Sequence, residues 1–149
     1  MNSLKKDSEY YSGKKKRHTI KAQVIADYQS CDILSVDFSG GRKHDFALFK
    51  ATHKILSERT LILADRGYHG IAEFHKNSLT PIKKFHKKEL SSAEKSYNKI
   101  VSRSRSLIER INRRLKVFRI LSGRFRNKLC KFENIFSLIC AIFNFSHFI

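Results

Sequence analysis

The 149-residue sequence is short of acidic residues, of proline and of cysteines that could pair. Asp and Glu number 13 against 31 Lys and Arg, which leaves a formal net charge of +18. So lopsided a charge on so small a chain points to a polyanionic partner: a nucleic acid, or less often an acidic membrane surface. One proline and six glycines exclude collagen-like and Pro/Gly-rich linker proteins. The three cysteines, Cys31, Cys130 and Cys140, lie far apart with no CxxC or Cys/His spacing. They read as reduced packing residues of an intracellular protein, not as a disulfide framework or a zinc site. Long apolar runs are missing too. The opening MNSLKKDSEYY has no apolar stretch of the signal-peptide kind. The charge-poor tail from Asn134 to Ile149 is shorter than the ~20 residues that span a bilayer, so it reads as a buried terminal helix.

What is present suits one domain over residues 1–149. Hydrophobic residues make up 41% of the chain, enough for a core. Between Arg17 and Ala26 the pattern alternates, with His18, Ile20, Ala22, Val24 and Ala26 on one side and Arg17, Thr19, Lys21 and Gln23 on the other. Leu34, Val36 and Phe38 alternate with Ser35 and Asp37, and the segment stops at Gly40-Gly41. Period two predicts two half-buried strands, joined near Tyr28–Ser30 as an antiparallel pair.

A helix is expected from Asp45 to about Leu56, with the His44-Asp45 pair read as its cap and leaning into the site as the alternative. The apolar run Thr60–Ala64 reads as a central strand covered on both faces. A short helix over 71–76 and an edge strand at Pro81-Ile82 follow. Ser91 and Glu94 have the capping-box spacing, and one long helix is expected over 91–121. Val101, Leu107, Ile108, Ile111, Leu115 and Phe118 form its apolar stripe. Gly123 fits its stop, and a last apolar helix covers 132–145. The element order is mixed α/β, helices packed on a small sheet.

Two carboxylates stand out. Asp65 follows the Leu61–Ala64 strand directly, so it projects from that strand's C-terminal edge, where ligands bind in open α/β sheets. Gly67 and Gly70 beside it permit a sharp turn. An Asp in that position equally serves as a turn or helix cap, and local sequence does not separate the two roles. Glu109 is the only acidic residue between Lys99 and Lys128 and sits at the flank of the apolar stripe. Its plainer role is an i,i+4 ion pair with Arg105 or Arg113. Together the two carboxylates suit Mg²⁺ or Mn²⁺, which take oxygen ligands, although such sites generally need a third.

The cations fall in two clusters: Lys14, Lys15, Lys16 and Arg17, then Arg103, Arg105, Arg110, Arg113, Arg114, Lys116 and Arg119. Nearly unrelieved, they suit phosphate-backbone contact without base reading, since helix-turn-helix and zinc-finger signatures are missing. A solvated charged face is the plainer alternative.

Four blocks in order then carry a resemblance. Tyr10-Tyr11-Ser12-Gly13-Lys14-Lys15-Lys16-Arg17-His18-Thr19-Ile20-Lys21, Gly40 to Asp45, Ala64-Asp65-Arg66-Gly67-Tyr68-His69-Gly70, and Ile108-Glu109 through Leu121 with Arg124-Phe125-Arg126-Asn127 resemble bacterial insertion-sequence transposases of the insertion-sequence-five type, which carry an Asp-Asp-Glu triad. The resemblance implies a ribonuclease-H-like mixed sheet flanked by helices. It also implies a two-metal Mg²⁺ or Mn²⁺ site and cleavage and strand transfer on double-stranded DNA, at transposon ends and target. Asp65 corresponds to the second triad carboxylate and Glu109 to the third. The first belongs upstream of the Tyr10–Lys21 block, and Asp7 lies where the family has a linker. The expectation is therefore an N-terminally truncated domain, inactive alone, in the bacterial cytoplasm at the nucleoid, able to associate with itself or with full-length transposase. A non-catalytic DNA-binding remnant that interferes with full-length transposase is the alternative. A cationic protein resting on a membrane through its C-terminus is a third reading.

Overall fold

The computed structural model describes residues 10–13, 16–52, 56–84, 89–125 and 129–146, with 129 and 130 as backbone only. Along the chain run β1 (Tyr11–Ser12), β2 (Arg17–His18), β3 (Ile20–Ala26), β4 (Ile33–Gly40), α1 (Asp45–Thr52), β5 (Ile62–Leu63), a 3₁₀ turn (Arg66–Tyr68), α2 (Ile71–Phe74), β6 (Ser78–Leu79), α3 (Ser92–Leu115), α4 (Arg119–Ser122) and α5 (Leu129–Phe145). The architecture is mixed α/β. Among the described residues the strands form three separate pairs: β1–β2 and β3–β4 antiparallel, β5–β6 parallel. The chain divides into two compact units, Met1–Gly41 with Leu107–Ile149, and Arg42–Ser106.

The first unit is built on the β3–β4 hairpin. Its turn is closed by Asp27, whose carboxylate accepts from the Gln29 and Ser30 amides at 2.9 and 2.7 Å. Those two backbone donors, Ser30 first, hold the Asp27 carboxyl below its ordinary range. Val24 pairs Val36 and Ala22 pairs Phe38, but the register slips at Ile25/Ala26, so Ala26 faces Ile33. This bulge corrects the expected alternation. Ile33 takes the core position, and Leu34, placed inward by strict period two, is 60% exposed. Gln23, expected outside, is buried, while Ala22 is exposed.

Against this hairpin sits a core of Ile33, Ile111, Leu115, Phe132, Phe136, Ile139, Cys140 and Phe143. Phe38 meets Phe136 edge-on at 5.4 Å and Phe132 at 6.1 Å, and Phe125 meets Phe132 at 5.1 Å. Burial pushes the Cys140 thiol up to about 11, so it stays protonated, as expected of a packing cysteine. Asn144 donates to the Ile33 carbonyl at 2.9 Å and accepts from its N–H at 2.8 Å, supplying the edge residue with both ladder bonds. α5 opens at Leu129, three residues ahead of the expected start, and no helix among the described residues is long and apolar enough to cross a membrane.

The second unit is built on shorter strands. α1 ends at Thr52, and the expected extension through His53, Lys54 and Ile55 lies outside the described residues. His44 is the cap position as expected, its carbonyl accepting the Leu48 amide at 3.1 Å. The Thr60–Ala64 run corrects to a two-residue strand. Ile62 and Ala64 donate to Asn77 and Leu79 carbonyls at 3.0 Å each, but Leu61 is exposed, so the strand is not covered on both faces. The edge strand lies at Ser78–Leu79 instead of Pro81-Ile82. Ile82 finds its partner in a helix: Asn98 accepts from its N–H at 2.8 Å and donates to its carbonyl at 3.1 Å.

α3 begins with the expected capping box, Ser91 and Glu94 exchanging bonds of 2.7 and 3.2 Å. It does not run on to Leu121. Val117 and Phe118 bond to the carbonyls three residues back, at 3.2 Å each, tightening the last turn. Phe118 is then extended (ψ 107°) and opens the separate turn α4, so the single helix expected over 91–121 is two.

Candidate active site and nucleic-acid interface

The parallel pair β5–β6 delivers Asp65 to the C-terminal end of β5, just past buried Ala64. The residue stands at the strand's edge and also forms the cap. Its Oδ1 accepts from the Gly67 amide and caps the 3₁₀ turn. Its Oδ2 lies 3.6 Å from the Arg105 guanidinium, with half of the Asp65 side chain still open to solvent. A Cβ on Gly67 would come within 3.0 Å of Asp65 Oδ1, so a bare glycine there lets the amide close on the carboxylate. Gly70 has φ +89°, the left-handed region that glycine enters without strain, and this turns the chain into α2.

Tyr68 stands behind this turn. Its ring packs edge-on against Phe46 and Phe49 at 6.4 and 6.0 Å. Burial, then the charges of Asp45 and Asp65, push its hydroxyl up to about 12. Asp45, whose pair with His44 reads from sequence as a cap with leaning into the site as the alternative, thus shares an electrostatic environment with Asp65 through Tyr68. The Arg105 partnership was also invisible, because nothing in local spacing links a strand end to a helix so distant in sequence. Only the basic character of α3 hinted at it.

Arg105 and Arg103 belong to the stretch of α3 in this unit, Arg103 exposed and Arg105 half-buried. Arg105 is thus placed beside Asp65, a partner the sequence did not suggest. Glu109 lies one helical turn further on, exposed, in the part of α3 that belongs to the first unit. Residues four apart on a helix share a face. In the first unit Arg110, Arg113 and Lys116 are exposed, and the Arg114 guanidinium stacks over Phe143 at 5.4 Å, covering the core with its stem. Lys16 and Arg17 are exposed beside β1. Lys14 and Lys15, Arg126 and Asn127 of the closing block, and Asp7 lie outside the described residues, as does the Cys130 side chain.

As a metal centre the donor set fits only in part. Asp65 offers a half-exposed, hard oxygen donor, but no group of three or more His, Cys, Asp or Glu side chains is assembled among the described residues. No step is therefore routed through an ion.

A carboxylate turn at a strand end, faced by a basic helix, is an arrangement suited to phosphodiesters, and the family comparison agrees: residues 1–144 match the DDE superfamily endonuclease family, and the chain belongs to it. Among curated proteins, it is 40% identical over 141 residues to the "Probable transposase for insertion sequence element IS702" of Microchaete diplosiphon. That alignment covers 95% of this chain and 51% of the relative, so the chain spans about half the length of the curated relative it matches. No solved structure matches.

Proposed function

We propose that the chain acts in DNA transposition as part of a transposase catalytic domain of the insertion-sequence-five type and ribonuclease-H-like fold, working on double-stranded DNA in the bacterial cytoplasm at the nucleoid. The observation that carries this reading is Asp65: a half-exposed carboxylate at the end of a strand, fixed by the Gly67 amide and matched in charge by Arg105 on a basic helix. Asp65 and Glu109 are the two carboxylates that would hold Mg²⁺ or Mn²⁺, which would supply positive charge beside a phosphodiester. Arg105 holds the Asp65 carboxylate in place. Lys14, Lys15, Lys16, Arg17, Arg103, Arg110, Arg113, Arg114 and Lys116 supply phosphate-backbone contacts, while Arg105 reaches phosphate only on leaving Asp65. Self-association, or association with a full-length transposase, belongs to the same proposal.

Two matched carboxylates fall short of the three that the resemblance implies. The expected behaviour of this chain alone is therefore DNA binding without cleavage. Mn²⁺ titrated into the protein–DNA complex, followed by electron paramagnetic resonance, tests the reading: Mn²⁺ binding should vanish in Asp65→Asn and weaken in Glu109→Gln. Binding that neither substitution alters would overturn it. The engagement of both Asp65 oxygens favours one second reading, a non-catalytic DNA-binding protein, which requires that result together with intact DNA affinity.

A further inference from the structure

A cavity of about 410 Å³ opens in the second unit, lined by Arg66, His69, Thr80, Pro81, Lys83 and Lys84. One wall is the turn that follows Asp65. The other is the segment leaving β6, and it is held firmly. Asn98 clasps both backbone groups of Ile82, the Tyr97 hydroxyl donates to the Thr80 carbonyl at 3.3 Å, and buried Pro81 fixes its own φ. One arginine, two lysines, an imidazole and a hydroxyl thus line one concave surface, with no acidic side chain among these six residues. The nearby Glu89 pairs with Lys84 at 3.6 Å, with both side chains mostly solvated, so this pair offsets little of the charge.

We propose that this cleft is a phosphate subsite that seats a non-reacting phosphodiester of the DNA strand, next to the one handled at Asp65. Like-charged walls repel one another until an anion enters, and the guanidinium fork of Arg66 matches phosphate oxygens in a bidentate manner. Position argues for a strand over a free anion. Arg66 directly follows Asp65, ~3.8 Å away between Cα atoms across one peptide bond. A strand seated on Arg66 and Lys83 therefore runs over the turn that carries Asp65, and a polymer supplies the neighbouring phosphodiester automatically. The inference rests on the proposed action on DNA, but it concerns binding and needs no metal.

The test is fluorescence anisotropy of a labelled duplex with the full chain in EDTA over a series of salt concentrations. Arg66→Ala/Lys83→Ala should bind several-fold more weakly and reduce the slope of log K against log salt by about 0.9, the value for one fewer neutralised phosphate on B-form DNA. The control Lys95→Ala/Lys99→Ala removes the same charge from exposed positions on α3 and should leave most of that slope in place. Arg66→Lys, which keeps the charge and removes the fork, should weaken binding with the slope retained, and it answers the question if the double variant fails to fold. Equal slopes for the double variant and the control would overturn the proposal, as would a wild-type chain that does not bind the duplex. Inorganic phosphate titrated while amide resonances are followed separates the sources. Shifts at His69 and Thr80 without any slope change on DNA would mark a free-anion site and also overturn it. A normal slope change combined with Mn²⁺ binding indifferent to Asp65 would leave the cleft standing and remove the catalytic reading.

Discussion

Phe132, Phe136, Ile139 and Phe143 fill one unit of the chain with edge-on and tilted rings and aliphatic side chains under a long hairpin. The other unit holds its two-residue strands with polar bonds: His75 Nε2 to the Thr60 carbonyl at 2.7 Å, Asn77 to Arg59 at 3.0 Å, Ser78 to His75 at 2.7 Å, and Asn98 to Ile82. The first rests on area removed from water. The second also buries Leu48, Phe49, Ile71 and Val101, and adds directional bonds that fix a turn and a cleft in shape. The candidate carboxylate Asp65 and the basic cleft both lie in the second unit, where short irregular segments bring side chains to the surface.

The two units should part most widely at Phe136, which touches Phe38 and Phe132. Phe136→Ala should cost about 3–5 kcal/mol, a large part of a small domain's stability, read as a lower urea midpoint. It should also leave Asn98 and the Ile82 amide less affected than Ile33 in hydrogen exchange, since Ile82 and Ile33 belong to separate units. The two asparagines bear on the same contrast. Asn144→Ala strips both backbone groups of buried Ile33 and should cost about 1–3 kcal/mol. Asn98→Ala does the same to half-buried Ile82, where water replaces the missing partner, so its cost should be smaller; exchange rates at the two amides check the order. The smallest effect is alkaline. The folded chain holds the Tyr68 proton up to about pH 12, while the unfolded chain releases it near its ordinary value of 10. The folded state then binds more protons, so this contribution is complete below pH 10 and is lost as pH rises towards 12. The thermal midpoint of wild type should fall more over that window than that of Tyr68→Phe.

Local features were legible in the sequence. The capping box at Ser91–Glu94, the turn at Gly70 and the strand-end position of Asp65 depend on residues within a few positions of one another, and the β3–β4 pairing follows from two alternating runs joined by a short turn. What escaped was set by distant partners or by a single extra residue. The bulge opposite Ile25/Ala26 shifts the phase of β4 and exchanges Ile33 for Leu34, which no alternation pattern reveals in advance. Gln23 is buried despite its polarity. The end of α3 at Leu115 interrupts an apolar stripe that continues through Phe118. Arg105 reaching Asp65, and the cleft formed where two segments of the second unit approach, belong to tertiary structure alone. The family resemblance located Asp65 and Glu109 by position, and only the folded chain showed what Asp65 touches.

The asparagine clasps have a further consequence. A carboxamide carries a donor and an acceptor at nearly the spacing of a peptide unit, so Asn144 and Asn98 each act as a one-residue counterfeit strand projecting from a helix. Such a contact works as an address: it admits a single residue of the chain at a single height along the helix, whereas greasy packing tolerates sliding by a fraction of a turn. Asp in either position would offer two acceptors and no donor, and Gln would overshoot by one methylene. These two helices are thus located by stereochemistry as well as by apolar contact, and a redesign that repacked the Phe-rich interior freely would still have to leave those two letters untouched.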